Sequence, residues 1–404
     1  MYVELAILAV FAFLYSTIAG GLERTPISGP ILFMVVGFLL GPLGVGWLEP
    51  DLTSNELRVL ADLTLALVLF IDAANADMGV VKRYARIPWR MLALGLPGVI
   101  VLGIGVGALI FQQLTFYELA ILAVMLAATD AALGKAVIAN ELVPANVREG
   151  LNLESGLNDG ICVPILFVFI ALAEGGAAAE GGSTALALRL VAQEIGIGLV
   201  IGLGMTAVGV GIIRYCWKRG WINKIWAQLP VVTLAVACFA VAQSLHGSGY
   251  IAAFVGGLLF GIMTKESTHE LVLAAEGTGE TLALVTWIAF GTAVLGAALD
   301  DFSWQVVLYA VLSLTLIRML PIFLSLTGTG ERTESKLFLA WFGPRGLASI
   351  VFAVIVISHD LPGAHLMSMV VVCTVFLSVL AHGLSANPLA SVFAARMRRL
   401  DEGT

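Results

Sequence analysis

A chain of 404 residues that is 59% hydrophobic and 12% charged, with mean hydropathy +0.99, has too few polar side chains to cover a water-soluble fold. The composition predicts an all-α polytopic membrane protein surrounded by lipid, with no nucleic-acid partner and no cofactor. The net charge of −7 carries little information by itself, because in a bilayer the placement of charges matters more than their sum.

The chain starts on an apolar run without the basic start and small-residue cleavage site of a signal peptide, so residues 2–20 read as a first spanning helix. Hydrophobic runs separated by Gly, Pro and charged breaks predict further helices at 28–48, 57–77, 90–111, 117–139, 149–173, 185–216, 227–246, 249–264, 281–299, 303–326, 335–357 and 364–386. Only a short tail with Arg396, Arg398 and Arg399 follows, which predicts no cytosolic regulatory domain.

Charge placement orients these spans. With the tail in the cytoplasm, 17 of the 21 Lys and Arg residues fall inside, including Arg24, Lys82, Arg83, Lys135, Arg214 and Lys224. Arg58 and Arg189 fall outside, and Arg318 and Arg345 lie within spans. That asymmetry predicts 13 transmembrane helices in the plasma (inner) membrane, N-terminus outside and C-terminus cytoplasmic. An odd count suits two inverted six-helix repeats, about 1–173 and 227–386, joined by a linking helix at 185–216. The fifth helix of each half is interrupted, at Thr129-Asp130 in the first and at Phe342-Gly343-Pro344-Arg345-Gly346 in the second.

The chemistry concentrates in Glu154-Ser155-Gly156-Leu157-Asn158-Asp159-Gly160. A carboxylate at mid-membrane costs about 2.5–3.5 kcal/mol on the insertion scale, so Glu154 and Asp159 need a reason to be there. On a helix, Ser155 and Asp159 share one face, while Glu154 and Asn158 share the adjacent one. Asp159 with Ser155 offers oxygen ligands to a small dehydrated cation, and the Asn158 amide is placed to hold Asp130 or broken backbone. Glu154 is expected to pair with Arg318. Arg345 is expected to neutralise half-helix C-terminal ends, and Asp130 to face the N-terminal ends. Asp72 either lines the approach to this site or snorkels to the interface. Thr292 is either an extra ligand or bonds its own helix backbone. The histidines His246, His269, His359, His365 and His382 are expected to be solvated near span ends or in loops. The cysteines Cys162, Cys216, Cys238 and Cys373 show no metal spacing and read as packing residues.

The run Ala128-Thr129-Asp130, the Glu-Ser-x-x-Asn-Asp-Gly motif at 154–160, the Ile-Arg helix at Arg318 and Gly-Pro-Arg-Gly at 343–346 resemble the monovalent cation–proton antiporters, most closely the NhaP-type sodium/proton exchangers. The resemblance implies the NhaA-like antiporter fold with crossed discontinuous helices and a homodimer. It implies that Asp159 binds cation and proton, with Asn158 in the Asn-Asp pair and Thr129-Asp130 on the unwound crossing helix. Asp159, Asp130, Ser155 and Thr129 would then supply the Na⁺ ligands, and Glu154–Arg318 the structural ion pair. Two positions depart from the family pattern: Ala131-Ala132 stands where relatives often have Pro-Val, and Gly156 replaces a common Leu.

The expected function is antiport by alternating access, with a proton or a monovalent cation (Na⁺, Li⁺ or K⁺) held on Asp159 in competition. Asn158 in place of a second carboxylate makes one charge exchange for one, so the expected exchange is electroneutral. Two other classes fit buried carboxylates. A cation channel lacks the repeated filter residues it would need here. An intramembrane aspartyl hydrolase could use Asp130 and Asp159 as a dyad, but leaves Arg345, Asn158 and the Glu154–Arg318 pair without a task.

Overall fold

The computed structural model describes residues 2–22, 25, 28–48, 55–76, 86–130, 137, 143–177, 184–223, 226–265, 268–295 and 302–402. Arg24, Lys82, Arg83, Lys135, Lys224 and the Ala131-Ala132 pair lie outside them. The described residues are helices and connecting turns, with no strand among them. In chain order these helices are α1 (Tyr2–Leu22), α2 (Gly29–Leu40), α3 (Asn55–Asn75), α4 (Arg86–Ile110), α5 (Phe116–Met125), α6 (Ala145–Ala177) and α7 (Thr184–Lys218). They continue as α8 (Leu229–Ser244), α9 (Gly249–Thr264), α10 (Thr268–Ala289), α11 (Trp304–Ser325), α12 (Thr333–Trp341), α13 (Leu347–Ile357) and α14 (Ala364–Glu402). Among the described residues, seven helical segments are long and apolar enough to cross a membrane on their own: α1, α4, α6, α7, α10, α11 and α14.

The chain divides into two compact units, the first made of 1–57, 84–155 and 283–404. In this unit α4 packs on α5 and α11, α11 on α12 and α14, and α13 on α14. A π turn at Phe290–Leu295 lies against α2, with Gly37 facing the Ile288 backbone and Gly291 the Met34 backbone. A second π turn, Ser313–Ile317, immediately precedes Arg318 in α11. Such single turns re-aim the side chains that follow them and recur at functional sites.

The second unit comprises 58–83 and 156–282. Here α7, α8 and α9 pack on one another. Their close approach rests on small residues: Gly198 and Gly202 of α7 face the backbone carbonyls of Ser248 and Ala252, while Gly257 and Gly261 of α9 face those of Phe70 and Ala74 in α3. Both glycine pairs are four apart, the spacing that lets apolar helices approach to backbone contact in lipid.

Several helix ends differ from the sequence expectation. α2 stops at Leu40, well before 48, because Gly41-Pro42 and the glycines that follow turn the chain. α10 starts at Thr268 rather than 281, since Glu, Leu and Ala keep a polar stretch helical beyond an apolar span. α14 runs past 386 to Glu402 with Pro388 inside it. A single proline removes one backbone bond, and the Ala-, Met- and Arg-rich residues beyond it favour helix.

Candidate functional site

The second interruption is built by Pro344 and its flanking glycines. α12 ends at Trp341, the chain runs extended through 342–346, and α13 begins at Leu347. Two glycines here are required by proximity. A Cβ at Gly346 would fall on the Asp130 carboxylate, and one at Gly343 on the Arg318 guanidinium. The glycines therefore let two charged side chains reach the unwound backbone.

The first interruption follows α5, with residues 128–130 extended after Met125. The two breaks touch: the Asp130 N–H donates to the Pro344 carbonyl at 2.8 Å. Each break supplies a charge to the other. Arg345, fully buried, donates from Nη1 to the carbonyls of Ala127 at 2.8 Å and Ala128 at 3.2 Å. The Asp130 Oδ2 accepts the Leu347 N–H, in the first turn of α13, at 2.9 Å. A cation thus meets carbonyls beyond a helix C-terminal end, and an anion meets an N-terminal end, the signs that the peptide dipoles favour. Ser349 adds a neutral bond, its hydroxyl donating to the Met125 carbonyl at 2.8 Å.

α6 meets the same crossing through Ser155, whose hydroxyl donates to the Thr129 carbonyl at 2.9 Å. Thr129 and Ser155 are both buried. Beside them Arg318 holds Glu154 in a two-pronged bond, Nη1 to Oε1 at 2.7 Å and Nη2 to Oε2 at 3.1 Å, with both side chains buried. Burying either charge alone would be costly, and the fork geometry satisfies both carboxylate oxygens.

In the second unit α6 continues without interruption through Asn158 and Asp159, both buried, as far as Ala177. The Asn158 amide oxygen accepts the Cys162 thiol at 3.2 Å, one turn further along the helix. Asp72, half-buried on α3, packs against the helix at Gly156: a Cβ there would lie 3.4 Å from the Asp72 carbonyl and 3.6 Å from its Cβ. These are ordinary van der Waals distances, so a Cβ at 156 would be accommodated beside Asp72. The structure therefore gathers Thr129, Asp130, Glu154, Ser155, Arg318 and Arg345 in the first unit, and places Asp72, Asn158 and Asp159 in the second. Thr292 donates its hydroxyl to the Ile288 carbonyl at 2.7 Å, one turn back on its own helix.

Two buried groups escaped the sequence reading. Glu118 closes a capping box on α5, accepting the Thr115 N–H at 2.8 Å, and its other oxygen accepts the Gly363 N–H at 2.7 Å. The Thr-x-x-Glu spacing was the available signal. His382 corrects the expectation of a solvated histidine. It is buried within α14, because that helix extends a further twenty residues from His382 to Glu402 instead of ending at 386.

A family model described as "Sodium/hydrogen exchanger, transmembrane" matches residues 8–392. The chain belongs to this family. Membership in a transporter family sets aside the hydrolase reading. Among curated relatives of this exchanger-family chain, the K(+)/H(+) antiporter NhaP of Alkalimonas amylolytica is 25% identical over 397 residues, covering 96% of this chain and 67% of the relative. The K(+)/H(+) antiporter NhaP2 of Shewanella sp. (strain MR-4) is 26% identical over 394 residues, covering 95% and 65%. The chain thus spans about two thirds of the length of these relatives. The fold is that of the sodium proton antiporter MjNhaP1 from Methanocaldococcus jannaschii, with a TM-score of 0.78 at 19% identity over 96% of this chain and 100% of that one.

Proposed function

We propose that the chain is a monovalent cation/proton antiporter in which one cation and one proton compete for Asp159. The observation that carries the reading is the pair of charge-compensated helix breaks, Asp130 on the Leu347 N–H and Arg345 on the Ala127 and Ala128 carbonyls. Unwound backbone is stable in a membrane only where it is buried in protein or lines a cavity, and here it is fixed by ions of the correct sign. Asp130 and Arg345 hold backbone, and Asp159, buried in the Asn-Asp-Gly run of α6, is assigned as the carboxylate that changes partner. In this reading Ser155, one turn earlier on α6, and Thr129 contribute oxygens for a dehydrated cation, and Asn158 and Asp72 belong to the same binding set. Glu154–Arg318 acts as a structural ion pair.

The same reading includes 13 spans with the N-terminus outside and the C-terminus cytoplasmic, inverted repeats at about 1–173 and 227–386 around a linking helix at 185–216, a homodimer, and the plasma membrane as location. Because Asn158 is neutral, one positive charge replaces another at Asp159, and each cycle moves no net charge.

Cation-driven proton release from proteoliposomes, followed with a pH dye for Na⁺, K⁺ and Li⁺, tests the activity and its ion preference. The printed names of the relatives point both ways, to K⁺ for the two curated relatives and to sodium for the structural neighbour. Saturating cation-triggered release supports antiport, and flux that follows voltage alone identifies a channel. With Na⁺ as substrate and a valinomycin-clamped potential, an equilibrium pH gradient that is the same at zero and at negative voltage supports one-for-one exchange. A gradient that shifts with voltage makes the stoichiometry unequal and implicates Asp130 in carrying a proton.

A further inference from the structure

The second helix break leaves backbone groups that the crossing with Asp130 does not satisfy. Pro344 has no N–H, the Trp341 carbonyl accepts the Gly343 N–H at 2.9 Å but has no continuing helix above it, and the Arg345 N–H precedes the first turn of α13. Backbone polar groups buried in protein need partners, and here side chains supply them beside the backbone. They come from α14. The Arg345 N–H donates to Ser378 Oγ at 2.7 Å, and His382 Nε2 lies 3.0 Å from the Trp341 carbonyl. His382 Nδ1 lies 3.2 Å from Ser378 Oγ. Ser378 and His382 are buried.

A carbonyl only accepts, and each ring nitrogen of His382 faces one: Nε2 the Trp341 carbonyl at 3.0 Å and Nδ1 the Ser378 carbonyl at 3.1 Å, so the neutral ring donates to one or the other. With the hydrogen on Nε2, Nδ1 presents a lone pair to the Ser378 hydroxyl, which has accepted from Arg345. That tautomer gives one relay: Arg345 N–H to Ser378, Ser378 O–H to His382, His382 N–H to the Trp341 carbonyl. It joins the two ends of the break across four residues of sequence and ties both to α14. Ser385, one turn beyond His382, accepts the Trp341 indole N–H at 3.2 Å, so residues 378, 382 and 385 form a polar stripe at helical spacing.

We propose that His382 and Ser378 are positioning residues of the exchange reaction: together they set the spacing between α12 and α13, and through it the place of the Arg345 backbone and of Asp130. The coupling is direct. Asp130 is held by Pro344 and Leu347, which flank the relay's attachment at Arg345. A slack break would let both contacts drift and would loosen the cation's binding geometry before the protein lost its fold. The inference rests on the antiport reading for its activity readout.

The test is antiport in proteoliposomes with wild type, H382L, H382Q, S378A and the S378A/H382L double variant, each checked by melting in detergent, with D159N as reference. H382L keeps the volume and deletes both ring nitrogens. The expected result is a rise of about fivefold to tenfold in cation KM, the size one lost hydrogen bond supplies, with maximal rate and melting temperature close to wild type. H382Q, whose amide both donates and accepts, restores KM to within about twofold on the same scale. S378A shifts KM in the same direction, and the double variant is no worse than the worse single one, because both cut one relay. Unchanged KM in H382L and S378A, or an H382Q as impaired as H382L, overturns the proposal. A melting loss with normal KM shows a role in folding only and also overturns it. If H382L does not yield folded protein, S378A, which removes a single oxygen, decides alone. Failure of the antiport reading appears separately, as a wild type that does not exchange or a D159N that still does.

Discussion

The crossing in the first unit and the helix trio of the second unit are held together by different physics. At the crossing, backbone that has left the helix is fixed by individual polar groups, Arg345, Asp130, Ser155 and Ser349, with the Glu154–Arg318 pair beside them. In the second unit α7, α9 and α3 approach mainly through glycines that face carbonyls, with a few polar contacts beside them, such as Tyr250 O–H to the Asp62 carboxylate and Arg214 to the Met263 carbonyl. The first arrangement specifies position, because each bond has one donor and one acceptor. The second relies chiefly on closeness, because lipid provides no hydrophobic drive and packing must supply most of the contact. An ion-handling site belongs on the first kind of scaffold.

Substitutions sharpen that contrast. Arg318→Ala, which strands buried Glu154, should cost the most, about 3–5 kcal/mol, read as a large fall in melting temperature. Adding Glu154→Gln should recover part of it, since the stranded charge is gone. An Arg318→Ala protein that melts like wild type would remove the pair from the account. Gly346→Ala places a methyl on the Asp130 carboxylate and should cost about 2–3 kcal/mol through loss of the charged bond to Leu347, together with most of the transport rate. In the second unit Gly261→Ala meets the Ala74 carbonyl and should cost about 1–3 kcal/mol by overpacking, while exchange by the surviving folded protein keeps its cation KM. Gly204→Ala and Gly211→Ala meet nothing and serve as controls, expected within about 0.5 kcal/mol of wild type. A KM change in Gly261→Ala would erase the distinction between the two kinds of scaffold.

The charged part of the site was legible because charge is so rare in this sequence. With Arg318 and Arg345 the basic residues placed within spans, Glu154 and the helix ends had few partners to choose from, and the geometry gives each the neighbour its sign required. Neutral polar groups were harder to read. Ser378, His382 and Ser385 carry helical spacing, but their role depends on Trp341 and Arg345, remote in sequence and brought close by the fold. His382 was also misplaced by ending its helix at the Asn387-Pro388 pair, a stop signal that good helix formers on the far side override. Glu118 was hidden for a different reason: its capping box sits at the mouth of an apolar run, where a carboxylate reads as an interfacial charge.

The central claim is that Asp159 is the group that exchanges cation for proton. Asp159→Asn preserves the size and much of the hydrogen bonding of the side chain, but the amide can neither release a proton nor balance a bound cation. In proteoliposomes the variant should reduce cation-driven proton flux to that of empty vesicles, while the purified protein remains monodisperse and melts like wild type. Substantial cation-driven flux from well-folded Asp159→Asn protein would contradict the account.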